Sequence, residues 1–541
     1  MRKIKVFNTL LFTVSFIFFA YIFYIQCVKF KYYSEISRRE HQKKMVICGT
    51  RGNIYDRNSL PLAMSEPCFS IFCTPIYSPD RNKLARGIAE ISEMPLGEIK
   101  KLIDKNKFFW VERKVGVKKR DDYLKLNDPS IGYTYDLNRI YNMPDIFGSL
   151  IGKCSIDNHG IEGLEFLFDN ILTGKSGFIV YQKEPDGDIF PYYRYPEKEP
   201  IPGQDIYLTV DLQLQTILHS NLIECIQKED ARGGAGLVVN PKTGEILAMV
   251  NIYSDGRQRN LIICDEFEPG SSFKLMGLIY ALQNGIRESD KFDTHNGKIK
   301  IDGHTIEDFK NYGVLTFQQA IAHSSNVVMA ELSQNFDREN FLLFIKDFGF
   351  TQLTGIELPG ETRGRLMKEG MLNNIEFATL LFGQGITCNL LQLTFAYQAV
   401  ANSGVLNKPY IVQKIMNKNH ITYQAKPLKV RRVVDEETAR RVTRILCSVI
   451  EEGTALEAKI EGIRIAGKTG TAQKVVDGKY SNSLVITTFI GYFPAEEPEY
   501  LIALLVDEPK KGKWASNVIV PYFKKIAQSI CRVTNLQYAI K

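Results

Sequence analysis

The first long pattern in the chain is an unbroken apolar run, in which residues 7–28 carry no charge and are rich in Phe, Ile, Leu and Tyr. Roughly twenty helical residues cross a bilayer core, so this run predicts a single transmembrane helix at 7–28 after a short tail at 1–6 that holds Arg2, Lys3 and Lys5. No small-x-small cleavage pattern follows it, which favours a retained signal anchor over a removed signal peptide. Lys29 and Lys31 flank the far end, so the charges on the two sides nearly balance and do not by themselves orient the span.

From residue 29 to about 205 the pattern changes to short alternating runs between turn signals, rich in Tyr and charge. Residues 51–58 read as a strand entering a turn. Residues 84–105 carry helical spacing at Ile88, Ile91, Leu96, Ile99 and Leu102, and Pro95 divides them into two helices. Glu184-Pro185-Asp186-Gly187 predicts a hairpin turn between 177–183 and 188–194. No catalytic constellation emerges, and the region reads as a β-rich spacer or interaction module.

After residue 206 the runs are longer. Residues 236–240 and 245–251 are apolar strands joined by Pro241-Lys242-Thr243-Gly244, a turn by composition. A helix-rich middle follows from 271 to about 453, then three more strands at 464–475, 484–492 and 500–507. Two strands, many helices and three strands predict a mixed α/β domain at 206–535, with one sheet covered by helices on both faces and a short tail at 536–541.

Composition narrows this picture modestly. A length of 541 residues predicts about three or four modules. Hydrophobic content of 44% and charged content of 24% are ordinary for a globular chain. The net charge of +7 is small and not gathered into a basic stripe, which argues against nucleic acid as a partner. The ten cysteines are scattered without a Cys-x-x-Cys pair and the seven histidines lack ligand spacing, so no zinc site and mostly free thiols are expected.

Three polar clusters interrupt the apolar pattern. Ser271 and Lys274 lie three apart where Glu268-Pro269-Gly270 opens onto an apolar helix, so a hydroxyl and an amine meet on one face. A serine needs a base to become nucleophilic, and lysine serves only when neutral. Burial in the apolar helix and the positive helix terminus both push Lys274 that way. Ser324-Ser325-Asn326 breaks a helical pattern and reads either as a polar loop tip or as a helix N-cap. In Lys468-Thr469-Gly470-Thr471, alternation puts the two threonines on one face and Lys468 elsewhere, while Gly470 leaves room for an extended ligand.

Taken in order, Ser271-x-x-Lys274, Ser324-x-Asn326 and Lys468-Thr469-Gly470 resemble the active-site set of penicillin-binding proteins and serine β-lactamases. Asn240-Pro241-Lys242-Thr243-Gly244-Glu245, Thr354-Gly355-Ile356-Glu357-Leu358-Pro359-Gly360-Glu361 and Gly383-Gln384-Gly385 match the penicillin-binding side. Arg51-Gly52-Asn53-Ile54-Tyr55-Asp56-Arg57-Asn58 and Gly160-Ile161-Glu162-Gly163-Leu164-Glu165 resemble the pedestal motifs of the class B form, of septal or sporulation type, with Ser59 where the family usually has Gly. The resemblance implies a five-stranded, mostly antiparallel transpeptidase sheet above a pedestal of the dimerisation type, in a single-pass membrane protein with its bulk outside the cytoplasm.

It also implies a peptidoglycan D,D-transpeptidase. Ser271 is the expected nucleophile toward the D-Ala-D-Ala amide of a stem peptide and Lys274 its base. Ser324 is the expected proton relay and Asn326 the holder of the substrate backbone. Lys468 would tune Ser324 and attract the terminal carboxylate, Thr469 and Thr471 would bind that carboxylate, and the backbone N–H groups of Ser271 and Thr471 would form the oxyanion hole. β-Lactams would acylate Ser271, no metal or organic cofactor is expected, and the expected protein partners are a polytopic peptidoglycan glycosyltransferase and divisome- or elongasome-type membrane proteins. The competing readings are a β-lactam sensor, a non-catalytic wall scaffold and a β-lactamase. The last draws on Glu369-Gly370-Met371-Leu372-Asn373, which spells a water-activating pattern, and His323 beside Ser324 raises a Ser-His-Asp hydrolase.

Overall fold

Five strands carry the C-terminal half: β1 (Gly233–Val239), β2 (Ile246–Tyr253), β3 (Ala466–Val476), β4 (Lys479–Phe493) and β5 (Tyr500–Asp507). The computed structural model describes residues 1–183, 189–191, 197–257, 259–366, 372–476 and 478–536. In space the order is β2-β1-β5-β4-β3, with every neighbouring pair antiparallel. β1 is buried at every position and β5 at all but its first, because helices cover both faces, and that is why these strands read as continuous apolar runs rather than alternating ones.

Side chains alternate across the sheet. Phe489 and Phe493 of β4 point to one face, where their ring centroids lie 4.6 and 6.3 Å from Phe523 on the C-terminal helix Val520–Val533. That helix packs on another at Leu212–Glu229. Thr488 and Tyr492 point the other way, toward three helices named here α1 (Lys274–Gln283), α2 (Leu390–Ala401) and α3 (Glu436–Glu451). Tyr492 Oη shares a hydrogen bond of 2.8 Å with Thr443 Oγ1 of α3. α2 is buried at all twelve positions and α1 from Lys274 to Leu282, so both are core helices, apolar nearly all round.

The contacts divide the chain into two compact units rather than three or four modules, and the division is not linear. Residues 53–64 and 139–172 belong with 204–541. The strand Ile54–Tyr55 pairs in parallel with Asp205–Leu208, and Arg139 Nε donates to Glu165 Oε1 at 2.6 Å with both side chains buried. Such long-range pairing has no local sequence signal. In the turn after Tyr55, Ser59 itself adopts the left-handed conformation, φ +67°, in place of the usual glycine.

The other unit has its own small core of Phe69, Ile71, Leu84, Ile88, Ile99, Ile103, Val111 and Tyr123. Its helices Arg81–Ser92 and Leu96–Asp104 are divided at Pro95 as expected. Gln42–Ile47 pairs with Gly177–Lys183, which pairs in turn with Ile189–Pro191, while the predicted turn at 184–187 and most of 188–194 lie outside the described residues. The N-terminal helix starts at Arg2, ahead of the apolar run, and continues through a π turn at Tyr24–Val28. The helix runs for 27 residues and its most apolar 18-residue window has a mean hydropathy of 2.0, so it is long and apolar enough to cross a membrane.

Candidate active site

Ser271 sits in a 3-10 turn, Gly270–Phe273, and α1 begins only at Lys274. The helix expected to include Ser271 is therefore tighter at its entry. In a 3-10 turn side chains three apart eclipse, so Ser271 and Lys274 share a face. Gly270 adopts φ +53° and its N–H donates to Gly383 O at 3.1 Å, and a Cβ on Gly383 would stand 2.3 Å from Gly270 O. Gly385 N donates to Glu268 Oε1 at 2.8 Å. The two residues after the serine anchor it. Phe273 packs edge-on against Phe350 at 5.0 Å, Ser272 Oγ donates to Pro269 O at 2.6 Å, and Tyr397 Oη from α2 donates to Ser272 O at 2.7 Å. Ser271 itself stays half-buried.

Lys274 has no exposed surface. Its Nζ donates to Ser324 O at 2.5 Å, Asn326 Oδ1 at 2.8 Å and Ser324 Oγ at 3.1 Å, so the first and second clusters meet at this amine. Burial holds its pKa well below the usual lysine value, and the nearby charge of Lys468 pushes the same way against an opposing pull from Asp308. Three acceptors satisfy the three donors of an ammonium; the neutral amine has a lone pair that can accept from the Ser324 hydroxyl instead.

Both readings of the second cluster hold at once. Ser325 is the N-cap of the helix Asn326–Ser333, accepting from Val328 N at 3.1 Å, while Ser324 and Asn326 turn to Lys274. Ser324 takes φ +60° at the bend. The buttress is Asp308, which accepts from Ser325 Oγ at 2.6 Å, Asn326 N at 2.5 Å and Val327 N at 3.0 Å. His323 is half-buried and stacks on Tyr312, 5.0 Å between centroids at 14°.

On β3 the pairing Lys468↔Ile490, Thr469↔Phe489, Gly470↔Thr488 and Thr471↔Thr487 puts Lys468 and Gly470 on the α1 face and the threonines on the other. Lys468 is 1% exposed, its Nζ donates to Thr469 O at 3.3 Å, and burial pushes its pKa down to about 7. Thr469 Oγ1 lies 2.8 Å from Thr454 Oγ1, and Ala515 N donates to Thr471 Oγ1 at 3.2 Å. A Cβ on Gly470 would stand 2.4 Å from Thr488 Oγ1 and 2.8 Å from Ser272 Oγ, so on the α1 face the glycine makes room for those two side chains.

The geometry also adds residues that the motifs do not mark, Asp308, Thr454 and Tyr397, and gives Gly383 a packing role against Gly270. In the Glu369–Asn373 pattern, 369–371 lie outside the described residues, while Asn373 caps the helix Asn374–Leu380 in a capping box with Glu376.

With this arrangement in place, residues 234–528 match the family described as penicillin binding protein transpeptidase domain, and 46–208 match the penicillin-binding protein dimerisation domain. The chain belongs to the penicillin-binding transpeptidases, in their class B form. It is 31% identical over 510 residues to stage V sporulation protein D of Bacillus subtilis, covering 90% of this chain and 78% of that protein. It is 30% identical to the peptidoglycan D,D-transpeptidase FtsI of Escherichia coli, covering 90% and 84%. The crystal structure of penicillin binding protein 3 from Mycobacterium tuberculosis complexed with aztreonam superposes with a TM-score of 0.72 at 25% identity, over 92% of this chain and 98% of that one. The five-stranded sheet of this penicillin-binding protein is thus the family's fold.

Proposed function

We propose that this penicillin-binding protein is a peptidoglycan D,D-transpeptidase that cross-links stem peptides through an acyl-enzyme on Ser271. The observation that carries the reading is the buried Lys274 amine, three residues from Ser271, held by both Ser324 and Asn326 and disfavoured as an ammonium. Neutral Lys274 takes the Ser271 proton as Oγ attacks the D-Ala-D-Ala carbonyl, and the Ser271 and Thr471 N–H groups hold the oxyanion. The C–N bond breaks, D-alanine leaves with a proton relayed by Ser324, and an amine of a second stem peptide attacks the ester and frees Ser271. Asn326 holds the substrate backbone, the Thr469 and Thr471 hydroxyls bind the terminal carboxylate, and Lys468, on the other face of β3, tunes Ser324 and attracts that carboxylate by its charge. β-Lactams acylate the same oxygen. Relatives named as D,D-transpeptidases and a neighbour solved with aztreonam support the assignment.

The helix at 2–28 serves as a single-pass anchor with the bulk of the chain outside the cytoplasm, and the matches at 46–208 and 234–528 support a pedestal at 29–205 and a catalytic domain at 206–535. A polytopic peptidoglycan glycosyltransferase is the expected partner, and deletion of the residues before Val46 should abolish co-purification with it. Mass spectrometry of the penicillin-treated chain tests the site. One penicilloyl group on the peptide holding Ser271, absent in Ser271→Ala, is expected, and an adduct elsewhere overturns the assignment. Rapid turnover of bound penicillin would instead make the protein a β-lactamase.

A further inference from the structure

Two exposed rings meet edge to face beside the site. Phe309 is 77% exposed and Trp514 45%, yet their centroids lie 5.4 Å apart at 82°. Each ring is tied to a different wall. Phe309 follows Asp308, whose carboxylate holds Ser325 and Asn326, and three residues later Tyr312 stacks on His323, so its loop is pinned at both ends. Trp514 precedes Ala515, whose N–H is bonded to Thr471 Oγ1 on β3. The pair therefore links the loop that braces Ser324–Asn326 to the segment bonded to the edge strand β3. Large apolar side chains this exposed bury little against the core, so packing of the core does not account for them. A single exposed aromatic contact is also weak enough to part and close again.

We propose that Phe309 and Trp514 form a strap across the acyl-enzyme that screens its ester from bulk water while admitting a peptide amine, and so sets how acyl groups divide between cross-linking and hydrolysis. The inference rests on the transpeptidase reading above. In cross-linking, the amine nitrogen adds to the ester carbonyl, a C–N bond forms, the bond from that carbonyl carbon to Ser271 Oγ breaks, and the amine proton passes to Oγ. In hydrolysis, water supplies the new C–O bond and its proton, the same bond to Oγ breaks, and a free carboxylic acid leaves. The leaving group and base are shared, so the partition is decided by which nucleophile reaches the carbonyl. Both rings are positioning residues in this account. Apolar rings exclude water without offering it a partner, whereas a peptide amine brings its own apolar surface to pack against them.

The test uses the full chain in detergent with a D-alanyl thioester as acyl donor and D-alanine amide as acceptor, reading the ratio of acid to amide product alongside the rate of acylation by penicillin. Phe309→Ala and Trp514→Ala should each raise the acid-to-amide ratio roughly tenfold, while penicillin acylation changes by less than about threefold. The double variant should go no further than either single one, because removing one ring already opens the strap, and Trp514→Phe should restore most of the amide product. An unchanged ratio in the two single variants, or effects that add in the double variant, overturns the strap while leaving Ser271 acylation intact. A wild-type chain that penicillin does not acylate at Ser271 overturns the transpeptidase reading and the strap with it.

Discussion

Lys274 and Lys468 are both withdrawn from water, but the regions around them are built differently. Lys274 is met by three oxygens from the Ser324–Asn326 bend, and that bend is fixed by Asp308. Lys468 rests on a regular strand and, among the described residues, its Nζ reaches one main-chain carbonyl, Thr469 O, at 3.3 Å. Burial lowers both pKa values. The difference lies in what each amine can still do. An amine with three partners stays in place whether protonated or not, which suits a base that must return a proton to the atom it came from. An amine with one long contact keeps its bonding capacity for a negative group that arrives later, and its burial makes that attraction strong. Both environments depress a lysine, and under the proposed mechanism the partners around each amine suit Lys274 to a base and Lys468 to an anchor.

The sharpest way to break this contrast is to remove each amine in turn. General bases contribute roughly 10²- to 10⁴-fold, so Lys274→Met should slow acylation by a fluorescent penicillin by about 10³-fold and Lys468→Met by about 10- to 100-fold. Equal losses would end the distinction.

The pH profile of acylation sharpens it next. Because the Lys468 charge lowers the Lys274 pKa, Lys468→Met should move the acid limb to higher pH; because Asp308 raises it, Asp308→Asn should move the limb to lower pH. Shifts of the same sign in the two variants would mean that Lys274 is not the titrating group.

Stability against pH gives a smaller effect. Lys468 titrates at about 7 when folded and near 10.4 when unfolded, so between those values the unfolded chain binds more protons and stability rises with pH. The contribution is up to about 1.4 kcal/mol per pH unit, and below about pH 7 the cost of burying the charge is present in full. Urea unfolding between about pH 8 and about pH 10 should therefore show a flatter rise for Lys468→Met than for the wild type. An identical slope would show that the strand does not desolvate this lysine.

The smallest effect concerns the bend. Ser325→Ala removes an N-cap and the bond to Asp308. It should cost about 1–2 kcal/mol in urea unfolding, with acylation affected less than stability; a collapse of acylation at unchanged stability would place Ser325 itself in the chemistry.

Much of this molecule is written locally. Strands β1, β2 and β5 were legible because burial on both faces makes them nearly continuous apolar runs, and the turn Pro241–Gly244 punctuates the first two. The apolar span at 7–28 and the break at Pro95 were legible for similar reasons. Ser271, Lys274, Ser324, Asn326 and Lys468 stood out as polar groups where the pattern called for apolar ones, and their order supplied the family. One local reading still missed. The turn at Ser271 is 3-10 because Pro269 and Gly270 tighten it.

Periodicity and turn chemistry report only on neighbours along the chain, so they identify elements without saying which distant elements meet. That Asp308 supports Asn326, that Tyr397 holds Ser272, that Ile54–Tyr55 pairs with Asp205–Leu208 and that Phe309 meets Trp514 were decided by packing across the fold. The amino-acid order determined that the chain would hold a serine, an amine and two further polar clusters on an α/β framework. The depressed proton affinity of the Lys274 amine came only when the fold closed around it, because desolvation belongs to a place in three dimensions and not to a position in a sequence.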